Sequence, residues 1–155
     1  MKLLVLISLF FFFQSCTERI PTSAKKGSKI EIGSYRFKFP SKFKLKKLQG
    51  VDSYVGVISG PHSSLSFDYG WYTRPMDERS NSEFLIVETE INGHYKQVVK
   101  ALESPLNFAQ IHLYRISDRV DNPNAYNALT ISTKNISERE QKMIIEVFNN
   151  VEILN

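Results

Sequence analysis

The sequence predicts an α+β domain: an antiparallel sheet of about seven strands, with a C-terminal helix packed on it. Three observations carry this. Apolar and polar residues alternate along successive short runs, the period-two pattern of strands with one buried face. Asn92-Gly93 stands between two such runs and suits a two-residue hairpin turn with positive φ at both centres. After Ser137 the apolar spacing changes to that of a helix. Few other segments could serve as crossover helices, which argues against parallel βαβ units.

The elements follow in order. Ile30 to Ile32 and Tyr35 to Phe39 open the domain, and Pro40 breaks the run. Across Tyr35–Leu45, Lys and Arg at 36, 38, 42 and 44 alternate with aromatics or Leu at 35, 37, 39, 43 and 45. Outward Lys is also how edge strands resist aggregation. Val51 to Ser59 is β-rich and ends at Gly60-Pro61. Leu65 to Tyr72 puts Leu65, Phe67, Tyr69 and Trp71 on one face and Ser66, Asp68, Gly70 and Tyr72 on the other. Arg74 to Ser82 reads as a polar loop. Phe84 to Ile91 and His94 to Leu102 form the arms of the Asn92-Gly93 hairpin, with His94 expected to be exposed beside the turn. Ala109 to Ile116 and Tyr126 to Thr133 are two further strands, separated by the turn-rich Asp118–Asn124. Ser137 and Glu140 have capping-box spacing. Met143, Ile144, Val147, Phe148 and Val151 then fall on one helical face, expected to be core.

Length and composition set further bounds. A chain of 155 residues, 42% hydrophobic and 23% charged, fits one globular domain. A single cysteine excludes an internal disulfide framework and a Cys-based zinc cluster. No apolar run reaches about 18 residues, so no transmembrane helix is expected. Charge is uneven: residues 17–50 hold ten Lys/Arg against two Asp/Glu, and residues 51–155 hold nine against fourteen. The basic part can meet anionic head groups or cell-wall polymers, or form a solvated strand face. A chain that is only mildly basic overall and carries an export signal argues against nucleic acid.

That signal is residues 1–15. Met1-Lys2 gives a positive start, Leu3 to Phe13 is unbroken apolar sequence, and Gln14-Ser15 precede Cys16. This is the build of a secretory signal peptide. At about 1.5 Å per residue the run spans roughly 17 Å, about half a bilayer core. Residues 16–29 read as a tether, rich in polar residues with Pro21 and Gly27. The thirteen residues 17–29 reach at most about 45 Å. Residues 30–155 form the globular domain.

Phe13-Gln14-Ser15-Cys16 resembles the lipobox of bacterial lipoproteins with a type II signal peptide, in the looser form ending in Ser-Cys that looks typical of Bacteroidota. Phe13 and Gln14 depart from the usual Leu and small residue. The resemblance covers about a tenth of the chain. It implies acylation of the Cys16 thiol, cleavage just before it, and a membrane partner reached through the lipid. Two or more long chains give stable anchoring. In enterobacterial members an Asp after the Cys retains the protein in the inner membrane, so Thr17 implies the outer membrane, with the domain in the periplasm or at the cell surface. The strand order and the ending from Asn135 to Ile153 look like PsbP-like domains. This second resemblance implies a non-enzymatic accessory or binding role and brings no functional residue with it.

Catalytic patterns are few. His62, His94 and His112 show no paired metal-ligand spacing and read as structural histidines; no metal or cofactor is expected. No GxSxG elbow, Gly-rich phosphate loop or Cys nucleophile is present. Glu88 and Glu90 share one strand face and read as solvated. The densest stretch is Asp52, Tyr54, Asp68, Tyr69, Trp71 and Tyr72, on two runs that would pair through Gly60–Ser64. Tyr and Trp offer a flat apolar face with a donor, suited to sugar, peptide or protein surfaces; equally, these aromatics could build the core. The expectation is a non-catalytic envelope lipoprotein with a protein or glycan partner. The alternatives are a cell-wall or glycan hydrolase with Asp52, Asp68 or a Glu as acid or base, and an inhibitor or immunity lipoprotein.

Overall fold

The computed structural model describes residues 27–77, 83–103, 107–121 and 126–154. The expected leader, Cys16 and the tether up to residue 26 lie outside them. Among the described residues ten strands and two helices follow one another: β1 (Ser28–Ile32), β2 (Tyr35–Phe39), β3 (Lys44–Leu48), β4 (Ser53–Ser59), β5 (Ser64–Gly70), β6 (Phe84–Ile91), β7 (His94–Ala101), β8 (Ala109–Arg115), α1 (Ile116–Asp121), β9 (Ala128–Thr133), α2 (Glu138–Asn149) and β10 (Glu152–Ile153). Every strand pairing is antiparallel. Seven strands form one sheet in the order β3-β4-β5-β9-β8-β7-β6, and β1, β2 and β10 form a small second sheet. The α+β class, the seven-stranded antiparallel sheet and the packed C-terminal helix all agree with the sequence reading. The second sheet takes two of the strands read from the sequence, β1 and β2, and β3 and β10 are strands that the sequence reading does not contain.

The helix forms where the capping box indicated. Ser137 Oγ accepts from the Glu140 amide at 3.3 Å and the Glu140 carboxylate accepts from the Ser137 amide at 3.0 Å, satisfying two donors that a helix start leaves free. Ile144, Val147 and Phe148 then lie in one core with Phe37 of β2 and Ile111, Leu113 and Val98 of the large sheet. The helix touches β2 on one side and β7 and β8 on the other. The small sheet and α2 thus cover the same face of the large sheet, its inner face.

The alternation in β2 works as expected. Tyr35, Phe37 and Phe39 are buried, while Arg36 and Lys38 point outward to the carboxylates of Glu31 and Glu152. In the β6–β7 hairpin, Asn92 and Gly93 have φ of 49° and 76°. This is the left-handed pair that lets the turn follow the twist of its strands.

Three local expectations are corrected. His94 is only 8% exposed. It pairs directly with Ile91, so it already belongs to the ladder and turns onto β2, where Tyr35 Oη lies 3.0 Å from its Nδ1. The strand expected to run to Ile116 ends at Arg115, and Ile116–Asp121 coils into a short helix. That coil brings Arg119 Nη1 2.8 Å from the Tyr114 hydroxyl, to which it donates. The first strand begins at Ser28, two residues earlier than expected, and Ser28 Oγ accepts from the Phe43 amide at 2.9 Å.

Candidate functional site

Strands β4 and β5 pair as a hairpin, with Ser53 opposite Gly70, Tyr54 opposite Tyr69 and Val55 opposite Asp68. This pairing divides the six residues singled out by sequence into three places, because neighbours along a strand point to opposite faces. Tyr54 and Tyr69 lie on the inner face against the core. Tyr54 meets Phe67 edge-on at 5.1 Å between centroids, and Lys47 Nζ lies 4.9 Å from the Tyr54 centroid. The Tyr69 ring packs so close to the β1–β2 turn that a β-carbon on Gly33 would stand 2.8 Å from it. Burial first, and Asp118 second, push the Tyr69 hydroxyl pKa up. These two tyrosines are structural supports.

Asp68 turns to the outer face. It begins a row of directly paired residues across five strands: Asp68, Thr130, His112, Gln97 and Glu88. The chain leaves β5 in mid-sheet and resumes as β6 at the far edge, so it must cross this row. Gln97 holds the crossing segment by both backbone groups of Met76, accepting from its amide at 2.8 Å and donating to its carbonyl at 2.9 Å. Its Nε2 also lies 3.0 Å from the Glu88 carboxylate, which the Tyr95 hydroxyl contacts too. His112 is fully buried beneath, with Nδ1 2.8 Å from Thr130 Oγ1. Burial, with a smaller push from Arg119, lowers its pKa to about 4. The imidazole is thus neutral at neutral pH, and it links β8 to β9 through Thr130. Beside it Tyr95 and Tyr114 stack at 4.8 Å, and Arg119 lies 5.5 and 5.7 Å from the Tyr114 and Tyr126 centroids.

The remaining three residues come together at one end of the sheet. Asp52 precedes β4, and Trp71 and Tyr72 follow β5, just beyond the last pair, Ser53 and Gly70. Trp71 is 54% and Tyr72 74% exposed. The neighbouring Val51 is 98% exposed, and Leu48 ends the adjacent strand β3 half-exposed. The sequence reading missed Val51 and Leu48, which look like ordinary strand residues until the register places them at a free end. The result is an exposed aromatic and aliphatic tip with one carboxylate. Lys46 and Lys47 stand nearby on β3.

The tip has a definite relation to the start of the domain. Ser28 pairs with Phe39 and is tied to Phe43, next to the end of the sheet where Lys44 faces Ser59. The tip lies at the opposite end of the seven-residue β4, about 20 Å away along the strand. A cavity of about 570 Å³ lies at the entry end, lined by Phe43, Pro61, His62, Arg139, Glu140 and Met143 among others.

Among the described residues, no group of three or more His, Cys, Asp or Glu side chains could hold a metal, and no helix is long and apolar enough to cross a membrane. Neither protein-family models nor curated proteins give a match to this chain.

Proposed function

We propose that the chain is a non-catalytic lipoprotein of the cell envelope, held to a membrane through Cys16 and binding a protein or glycan partner with the tip formed by Asp52, Trp71 and Tyr72. The observation that carries this reading is the position of the tip, at the opposite end of β4 from the point where the chain enters the domain. A chain anchored at Cys16 and entering the domain at Ser28 has Trp71 and Tyr72 at the end of β4 away from the tether. Large aromatic rings with a polar handle, left exposed together, are the residue types that dominate binding surfaces. A solvent-exposed tip also suits a fold whose His94 and His112 are both committed to internal contacts.

The anchor is tested by replacement of its sulfur. The unsubstituted chain should enter the detergent phase of Triton X-114, and Cys16→Ser should move it to the aqueous phase. Mass spectrometry of the native protein should find an acylated residue 16 at the amino terminus; an unmodified start would overturn the anchor. The tip is tested separately. Partner recovery from detergent-solubilised membranes should fall about tenfold or more in Trp71→Ala and Tyr72→Ala. Both side chains are exposed, so stability should change by less than about 0.5 kcal/mol. Equal recovery by all three proteins would remove the tip from the interface.

A further inference from the structure

The two edges of the large sheet are built differently. Edge strand β3 carries Lys44, Lys46 and Lys47 in five residues, the charge that keeps an exposed edge from pairing with another chain. Edge strand β6 runs Phe-Leu-Ile-Val from Phe84 to Val87, with no Lys or Pro anywhere in its eight residues. Its register with β7 is continuous over all eight pairs, without a bulge. Among the described residues no strand pairs with its outer side.

The backbone of β6 has a defined direction. The Leu102 amide donates to the Glu83 carbonyl at 2.8 Å, and this bond fixes which positions face β7. Bonded and non-bonded pairs alternate in an antiparallel ladder, so Leu85, Val87 and Thr89 bond inward to β7. Phe84, Ile86 and Glu88 present their amides and carbonyls to the open edge. Leu85 and Val87 point to the inner face and are 43% and 46% exposed.

We propose that the open edge of β6 pairs with β6 of a second copy of the chain, antiparallel about a two-fold axis at Ile86, joining the two large sheets into one. The strand is self-complementary in this register. Ile86 opposes the partner subunit's Ile86, and Phe84 opposes the partner subunit's Glu88. These pairs use the outward-facing backbone groups and close about six hydrogen bonds. Leu85 meets the partner subunit's Val87 and Val87 meets the partner subunit's Leu85, so both exposed side chains are covered by apolar surface. Other registers are worse. An axis at Glu88 sets like charges directly opposite, which destabilises a pair. An axis at Val87 opposes both Ile86 and Phe84 to carboxylates, where the axis at Ile86 so opposes Phe84 alone, and an axis at Leu85 pairs only Phe84 and Ile86 of the outward-facing positions in β6, closing about four hydrogen bonds instead of six. A shared patch on both subunits also closes the assembly at two copies.

A single introduced cysteine tests the axis. At a two-fold position the paired Cα atoms are about 5.5 Å apart, within the range of a disulfide. Ile86→Cys in the full-length chain should therefore cross-link with itself under mild oxidation, while Phe84→Cys and the unsubstituted chain should not. The unsubstituted protein should have twice the chain's mass by light scattering in detergent. Val87→Lys sets an ammonium against the partner subunit's Leu85 and should reduce the cross-linking of Ile86→Cys about tenfold or more. A monomer by light scattering, no disulfide between the two copies of Ile86→Cys, or equal cross-linking at positions 84 and 86 would overturn the pairing.

Discussion

Phe148→Ala lowers the free energy of unfolding by about 3–5 kcal/mol. The ring is fully buried and lies edge-on to Phe37, with centroids 6.3 Å apart. It sits where α2 is wedged between β2 and the β7–β8 part of the large sheet. Truncation therefore removes apolar contact with two sheets at once and leaves a cavity that neither can fill without moving the other. A domain of this size has roughly 5–15 kcal/mol in all, so the loss is a large fraction of the total. Urea titration followed by circular dichroism measures it: the midpoint should fall while the slope stays constant. A change below about 1 kcal/mol would mean that α2 does not close the core.

Acidification weakens the fold between pH 6.5 and about 4, and His112 is the main cause. Its pKa is lowered from 6.5 to about 4 by burial among Thr130, Tyr95 and Tyr114, with Arg119 adding to the shift. Between those two values the unfolded chain binds a proton that the folded chain refuses, so stability rises with pH. The contribution is complete above pH 6.5 and is lost as pH falls to about 4, below which this group has no further effect. A shift of this size corresponds to on the order of 3 kcal/mol. His94 acts in the same direction, because burial and Arg115 lower its pKa against an opposing push from Asp118. Glu152, held low by Lys38 and Arg36, acts at lower pH, where its carboxylate protonates. Urea midpoints at pH 4.5 and 7.5 separate these groups. The unsubstituted protein should lose stability at the lower pH, and His112→Asn, which retains a polar atom for Thr130, should lose much less. Equal losses in both would show that His112 does not supply the slope.

The local signals were legible for a simple reason: each rests on neighbours in the chain. Phe37 and Phe39 turn inward while Arg36 and Lys38 turn outward because a strand has period two. Asn92-Gly93 bends the chain because these residues tolerate positive φ. Ser137 and Glu140 start a helix because each caps the other. The candidate site was only partly legible. The aromatic stretch on β4 and β5 was visible, but its division into Tyr54 and Tyr69 packed against the core, Asp68 on the outer face, and Trp71 and Tyr72 at an exposed tip was not. That division depends on which face α2 and the small sheet cover, and this is a fact about distant segments. His94 shows the same gap: a turn-adjacent histidine is buried because Tyr35, 59 residues away, meets it.

By itself the sequence determined the class of fold, the pairing of the β6–β7 hairpin, and the terminal helix. All of these follow from propensity and periodicity over a few residues. Tertiary structure alone decided that the ten strands among the described residues divide into sheets of three and seven, that Gln97 on the outer face holds the chain after β5 at Met76, and that β3 and β6 become the two edges of the large sheet. These depend on burying apolar surface contributed by segments far apart in the chain, and no local pattern specifies which distant surface will be met.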